Sequence, residues 1–103
     1  MKKIEISAQV PVMFLREGKT FIAYSPALDI ATAGTSHNEA KKRFTEFIDI
    51  FFDELVEHGK LEEALLDLGW QKTPQGIKPP LIVSQDQIGI NYAPHHAHSL
   101  AKV

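Results

Sequence analysis

Every even position from Ile4 to Phe14 is apolar: Ile4, Ile6, Ala8, Val10, Val12 and Phe14. The odd positions opposite them begin Lys3, Glu5, Ser7 and Gln9. Period-two alternation over this length predicts a strand with one face on a core and the other in water. Pro11 falls on the outward set and removes a ladder donor, which places the strand at a sheet edge or a bulge. Arg16-Glu17-Gly18-Lys19 then reads as a hairpin loop with a glycine available for positive φ. Thr20 to Ser25 reads as a second strand, broken at Pro26-Ala27-Leu28-Asp29, and Ile30 to Thr35 as a short third one. Three strands with tight connections make an antiparallel meander.

The period then changes. Ser36-His37-Asn38-Glu39 has the form of a capping box and predicts a helix start, and Gly59 after Glu57-His58 predicts its stop. Ala40, Phe44, Phe47, Ile48, Phe51, Phe52 and Leu55 recur at three- and four-residue steps and form one broad apolar face. His58, in the last turn, suits the negative end of the helix dipole. A second helix is expected from about Lys60 to Leu68, with Leu61, Ala64, Leu65 and Leu68 as its stripe. Trp70 to Pro79 reads as a short hairpin turning at Thr73-Pro74-Gln75-Gly76. Leu81-Ile82-Val83 and Ile88 to Tyr92 read as further strands, and Ala93 to Val103 as an aperiodic, mobile tail. The expectation is one α+β domain over 1–92 with the tail at 93–103. Its sheet is antiparallel with three to four strands, one long helix lies across one face, and a short helix and a C-terminal hairpin follow.

Composition narrows the chemistry. The 103 residues hold 44% hydrophobic and 23% charged side chains, ordinary for a globular chain. There is no cysteine, so disulfides, thiolate metal sites and a cysteine nucleophile are excluded. A formal charge of -2 makes nucleic acid a poor ligand for phosphate contacts alone. No apolar run is long enough for a membrane span. Ile4-Glu5-Ile6 after Met1-Lys2-Lys3 alternates instead of forming an apolar leader, so the expected compartment is the cytoplasm.

Catalytic signatures are lacking. The six glycines are scattered, so no phosphate-cradling loop forms, and Ser25 lacks the G-x-S-x-G elbow. A two-metal nuclease needs several inward carboxylates on its strands, and here only Glu5 and the loop residue Asp29 are on offer. His95-His96-x-His98 has no neighbouring carboxylate to orient it as a metal site. No catalytic residue, cofactor or metal is therefore expected. A row of acids is more informative. Glu46, Asp49, Asp53 and Glu57 step along the long helix opposite the phenylalanine face. Such a stripe either keeps a domain soluble or steers a basic partner. Ile50 and Val56 flank it, and with the edge character of the first strand they predict a homodimer or higher oligomer.

The run from Phe21 to Ala40 resembles the N-terminal domain of HicB-like antitoxins. That family shows a strand ending in Ala-x-x-Pro-x-Leu, a short strand, then Gly-x-Ser/Thr-x-x-Glu-Ala opening a helix. Ala23, Pro26, Leu28, Gly34, Ser36, Glu39 and Ala40 match it, and the likeness covers roughly residues 2–58. Leu68-Gly69-Trp70 looks like an extension seen in a subset of such proteins. The chain departs from the pattern where Asp29-Ile30-Ala31 replaces the customary Gly-Cys after the leucine. It departs again after Leu81, where too few residues remain for the usual DNA-binding helix-turn-helix, so no direct DNA contact is expected.

The resemblance implies a degenerate ribonuclease-H-like fold without catalytic carboxylates. It also implies a partner, a small basic mRNA-cleaving toxin of the HicA type. The expected contact residues are Glu46, Asp49, Asp53 and Glu57, together with Tyr24, Pro26 and Leu28. The alternative is a stand-alone structural or ligand-binding oligomer that has lost its toxin.

Overall fold

Gly18 turns the chain with a φ of 61°. Around it β1 (Met13–Glu17) and β2 (Thr20–Ser25) form the first hairpin in a computed structural model, which describes residues 6–94. β3 (Ile30–Gly34) pairs antiparallel with the other side of β2, giving the order β1-β2-β3. The β2–β3 connection passes through Asp29 at a φ of 53°, a left-handed conformation that a short polar side chain tolerates. Its carboxylate accepts a 3.0 Å hydrogen bond from the Tyr24 hydroxyl. That bond, with burial and the nearby charge adding to it, raises the Tyr24 pKa above its ordinary 10.0.

The first strand is shorter than its alternation predicts. Met13 faces Tyr24, and β2 ends one residue later at Ser25 with Pro26 behind it. Val12 falls opposite Ser25 at the end of β2, and residues before it have no strand opposite them. Ile6, Val10 and Val12 still pack on the core, and Pro11 is exposed. The alternation reports burial of one side, not pairing.

α1 (His37–Glu57) starts where the capping sequence places it. Ser36 Oγ accepts the Glu39 amide at 3.1 Å. Glu39 Oε1 reaches back one residue further than a capping box requires, accepting the Thr35 amide at 2.6 Å and the Thr35 hydroxyl at 3.1 Å. The Thr35 amide is the chief cause that holds the Glu39 carboxyl below 4.5; the Thr35 hydroxyl and the charges of Arg43 and Lys42 act in the same direction. A group with a depressed folded-state pKa stabilises the fold above its unfolded pKa and loses that contribution as pH falls through the folded value. Glu39→Gln is thus expected to be less stable than wild type near neutrality. The gap should close between about pH 5 and about pH 3, read by urea titrations at each pH. A gap independent of pH would show that the ionised carboxylate is not what holds Thr35.

The helix lies on the sheet face that carries Phe14, Phe21, Ala23 and Ile30, and it buries Ala40 and Phe44 there. The His37 ring lies over that of Phe14 with centroids 4.0 Å apart. The chain turns at Gly59 (φ 65°) into α2 (Leu61–Asp67), which delivers Leu65 to the core. β4 (Gln71–Thr73) and β5 (Gly76–Lys78) then form a separate hairpin. Thr73 clamps its turn, donating to the Gly76 carbonyl at 2.6 Å and accepting the Gln75 amide at 3.2 Å. The Trp70 indole N–H donates to the Ala27 carbonyl at 2.9 Å, tying this C-terminal part to the β2–β3 loop.

The remaining expected strands do not form. Leu81–Val83 and Ile88–Tyr92 have no regular structure, and their side chains are exposed. Among the described residues no strand edge lies against them, and an isolated strand has nothing to satisfy its backbone. Of the tail expected at 93–103, residues 95–103 lie outside the described residues, and with them the three histidines. Among the described residues no helix is long and apolar enough to cross a membrane.

Candidate partner-binding groove

A length mismatch between helix and sheet opens a groove. α1 has 21 residues, about 32 Å at 1.5 Å per residue, whereas the strands beneath it run five or six residues, about 20 Å. Its N-terminal half covers the sheet. Its C-terminal half overhangs, so Ile48, Phe51, Phe52 and Leu55 are only half-buried, and Phe47, expected in the core, is exposed. Under the overhang, between the N-terminal segment 6–10 and the α1–α2 corner, lies an open groove of about 710 Å³.

The floor of the groove is apolar. Leu28 and Trp70 are both buried at its base, Ile48 and Phe52 come from α1, and Ile6, Ala8 and Val10 form the opposite wall. Val56 and Leu61 close the end at the helix corner. The rim is acidic: Asp49, Asp53 and Glu57 stand one helical turn apart along α1. Elsewhere on the two helices, four carboxylates have ionic partners and, among the described residues, Asp67 does not. Glu39 pairs with Arg43, Glu54 with His58, Glu63 with Lys60 and Glu62 with Lys72. Among the described residues, none of the stripe carboxylates makes an ion pair.

The residues singled out from the sequence therefore separate into groups. Asp49, Asp53, Glu57 and Leu28 share the groove. Glu46 sits on the same helix but does not line it. Pro26 is exposed in the β2–β3 loop. Tyr24 lies on the sheet face away from α1, since it alternates with the core residues Ala23 and Ser25 along β2. Sequence reasoning missed Trp70 and the wall at Ile6, Ala8 and Val10. The even-position alternation marked the wall as buried, whereas Ile6 and Val10 are half-buried and Ala8 is exposed beside the cavity.

The Ser25 hydroxyl is fully buried and has no hydrogen-bond partner, so no base stands ready to activate it. Asp29 is engaged by Tyr24. Among the described residues no three His, Asp or Glu side chains come together as a metal site. In comparisons with known proteins, no family model, curated protein or solved structure matches the chain.

Proposed function

We propose that this protein is a non-catalytic binding module whose acid-rimmed groove takes up a small basic protein, a HicA-type mRNA-cleaving toxin, and so neutralises it. The observation that carries the reading is the pairing of an apolar floor with three unpaired carboxylates along one wall. Such a surface suits an apolar side chain flanked by lysine or arginine. The buried anchor supplies residence time and the charge row speeds encounter. The resemblance of residues 21–40 to HicB-like antitoxins supports the same assignment and supplies the class of partner.

The test is a stopped-flow association measurement with the basic product of a neighbouring reading frame, alongside its RNA-cleaving activity. Asp49→Lys with Asp53→Lys reverses two rim charges without touching the core. Both residues are exposed, so stability should change by no more than about 0.5 kcal/mol. Association is expected to slow by an order of magnitude or more at low salt. The difference should shrink as salt screens the charges beyond about 8 Å at physiological ionic strength. A double variant that binds and inhibits as fast as wild type at low salt would remove the groove from the interface.

A further inference from the structure

Two parts of the molecule lack what each would give the other. The segment Ile88-Gly89-Ile90-Asn91-Tyr92 has the alternation of a strand but no sheet. Ile88 is 87% exposed and Ile90 91%, and Leu81 and Val83 before them are as bare. From Pro79 to Pro94 the only charged residue is Asp86. A stretch with a single charge and this many apolar groups in water marks an interaction surface.

The sheet has the converse defect. β2 is paired on both sides, and α1 lies against β3, where Thr32 Oγ1 donates to the Ala40 carbonyl and Arg43 takes up one strand carbonyl, that of Ala33. β1 is paired on one side only, and among the described residues no strand lies on its outer edge. Met13–Glu17 contains no proline, and its two charges, Arg16 and Glu17, stand together at the hairpin end, which leaves Met13–Leu15 as an apolar edge. Beside it the sheet face away from α1 is apolar, with Met13 and Leu15 on β1 and Ile22 opposite Leu15. Leu15 is 48% exposed.

The arm leaves its own body. Lys78 and Pro79 each precede a proline, which holds both extended, and two consecutive prolines resist a reversal. The result is a molecule 65 Å long against 31 and 27 Å in the other directions. Its radius of gyration is 18.6 Å, where about 13 Å is usual for a compact chain of this length.

We propose that Ile88–Tyr92 of one copy adds to the outer edge of β1 in a second copy, and that the exchange is reciprocal. Both segments are five residues long. Ile88, Ile90 and Tyr92 would continue the apolar face at Met13 and Leu15, while the ladder satisfies both backbones. Each copy brings one arm and one edge, so the assembly closes at two with two-fold symmetry. This dimer stands apart from the groove and does not depend on the toxin reading.

The full-length protein is expected to sediment as a dimer at tens of micromolar. Ile88→Lys with Ile90→Lys places two charges in the arm, at side chains almost fully exposed in the monomer. Its circular dichroism should match wild type while its dimer dissociation constant rises about tenfold or more. Because the chain has no cysteine, the pairing is read directly. Leu15→Cys protein mixed with Ile90→Cys protein and a short bis-maleimide should yield a covalent heterodimer, whether the strands run parallel or antiparallel, since each cysteine is the middle of its segment. A monomeric wild type would overturn the proposal. So would a double-lysine variant that dimerises unchanged, or a Leu15→Cys, Ile90→Cys chain that cross-links only within itself.

Discussion

Replacing Gly34 with alanine is expected to destabilise the domain by about 3 kcal/mol, the upper end of what an inserted methyl group costs in a tightly packed site. The reason is distance, since Gly34 has no positive φ to accommodate. A Cβ there would stand 2.6 Å from the Ala40 amide nitrogen and 3.0 Å from two atoms of Glu39. Those atoms belong to the first turn of α1, which cannot retreat freely. Ala40 is fully buried, its amide donates to the Ser36 carbonyl at 3.0 Å, and its carbonyl accepts the Thr32 hydroxyl at 2.9 Å. Moving the helix to make room would break the strand–helix corner that sets the rest of the fold. Gly69→Ala is the contrast. There the φ is 95° and a Cβ would meet nothing, so only backbone strain is added, about 1–3 kcal/mol. Urea unfolding followed by circular dichroism should show the Gly34 variant with a lower midpoint and an unchanged slope. A loss under about 1 kcal/mol would mean that the helix start slides on the sheet and the close approach is not required.

This corner also shows how much of the fold was legible. The glycine, the cap and the Glu-Ala pair sit within seven residues, so the contacts they make are local and their spacing encodes them. The same holds for the β1–β2 turn at Gly18 and the helix stop at Gly59, where positive φ selects the residue. What depends on the relative lengths of elements distant in the chain was not legible. The alternation from Ile4 counts burial correctly through Ile6, Val10 and Val12, but strand length is set by the partner, and β2 ends at Ser25. The phenylalanine face of α1 was visible, yet half of it projects beyond a sheet too short to cover it. The groove is the consequence of that mismatch. Its acidic rim was found because a stripe on one helix obeys one period. Of its floor Leu28 was singled out, but Trp70 was not, because the two meet only through tertiary packing.

Trp70 gives the second large effect, and it links stability to the groove. Its side chain is 3% exposed and packs in the cluster with Leu28 and Leu65, and its indole N–H reaches Ala27 across 43 residues of chain. Trp70→Ala removes the largest core side chain and leaves a void beneath the groove, with an expected cost of about 3–5 kcal/mol. Total stability for a domain of this size is about 5–15 kcal/mol, so that variant should be partly unfolded at the lower end of the range. Trp70→Phe separates the two contributions. It keeps most of the apolar volume but leaves the Ala27 carbonyl without its donor, which should cost about 1–3 kcal/mol. Midpoint shifts from thermal or urea unfolding measure both. If the phenylalanine variant were as stable as wild type, water would have to replace the indole, and the β2–β3 loop would not be anchored through this bond. Because Trp70 is the chain's single tryptophan, its fluorescence also reports on the groove without a label. A partner seated between Leu28 and the acidic rim should change that emission on binding, and Asp49→Lys with Asp53→Lys should slow the change without altering the free protein's spectrum.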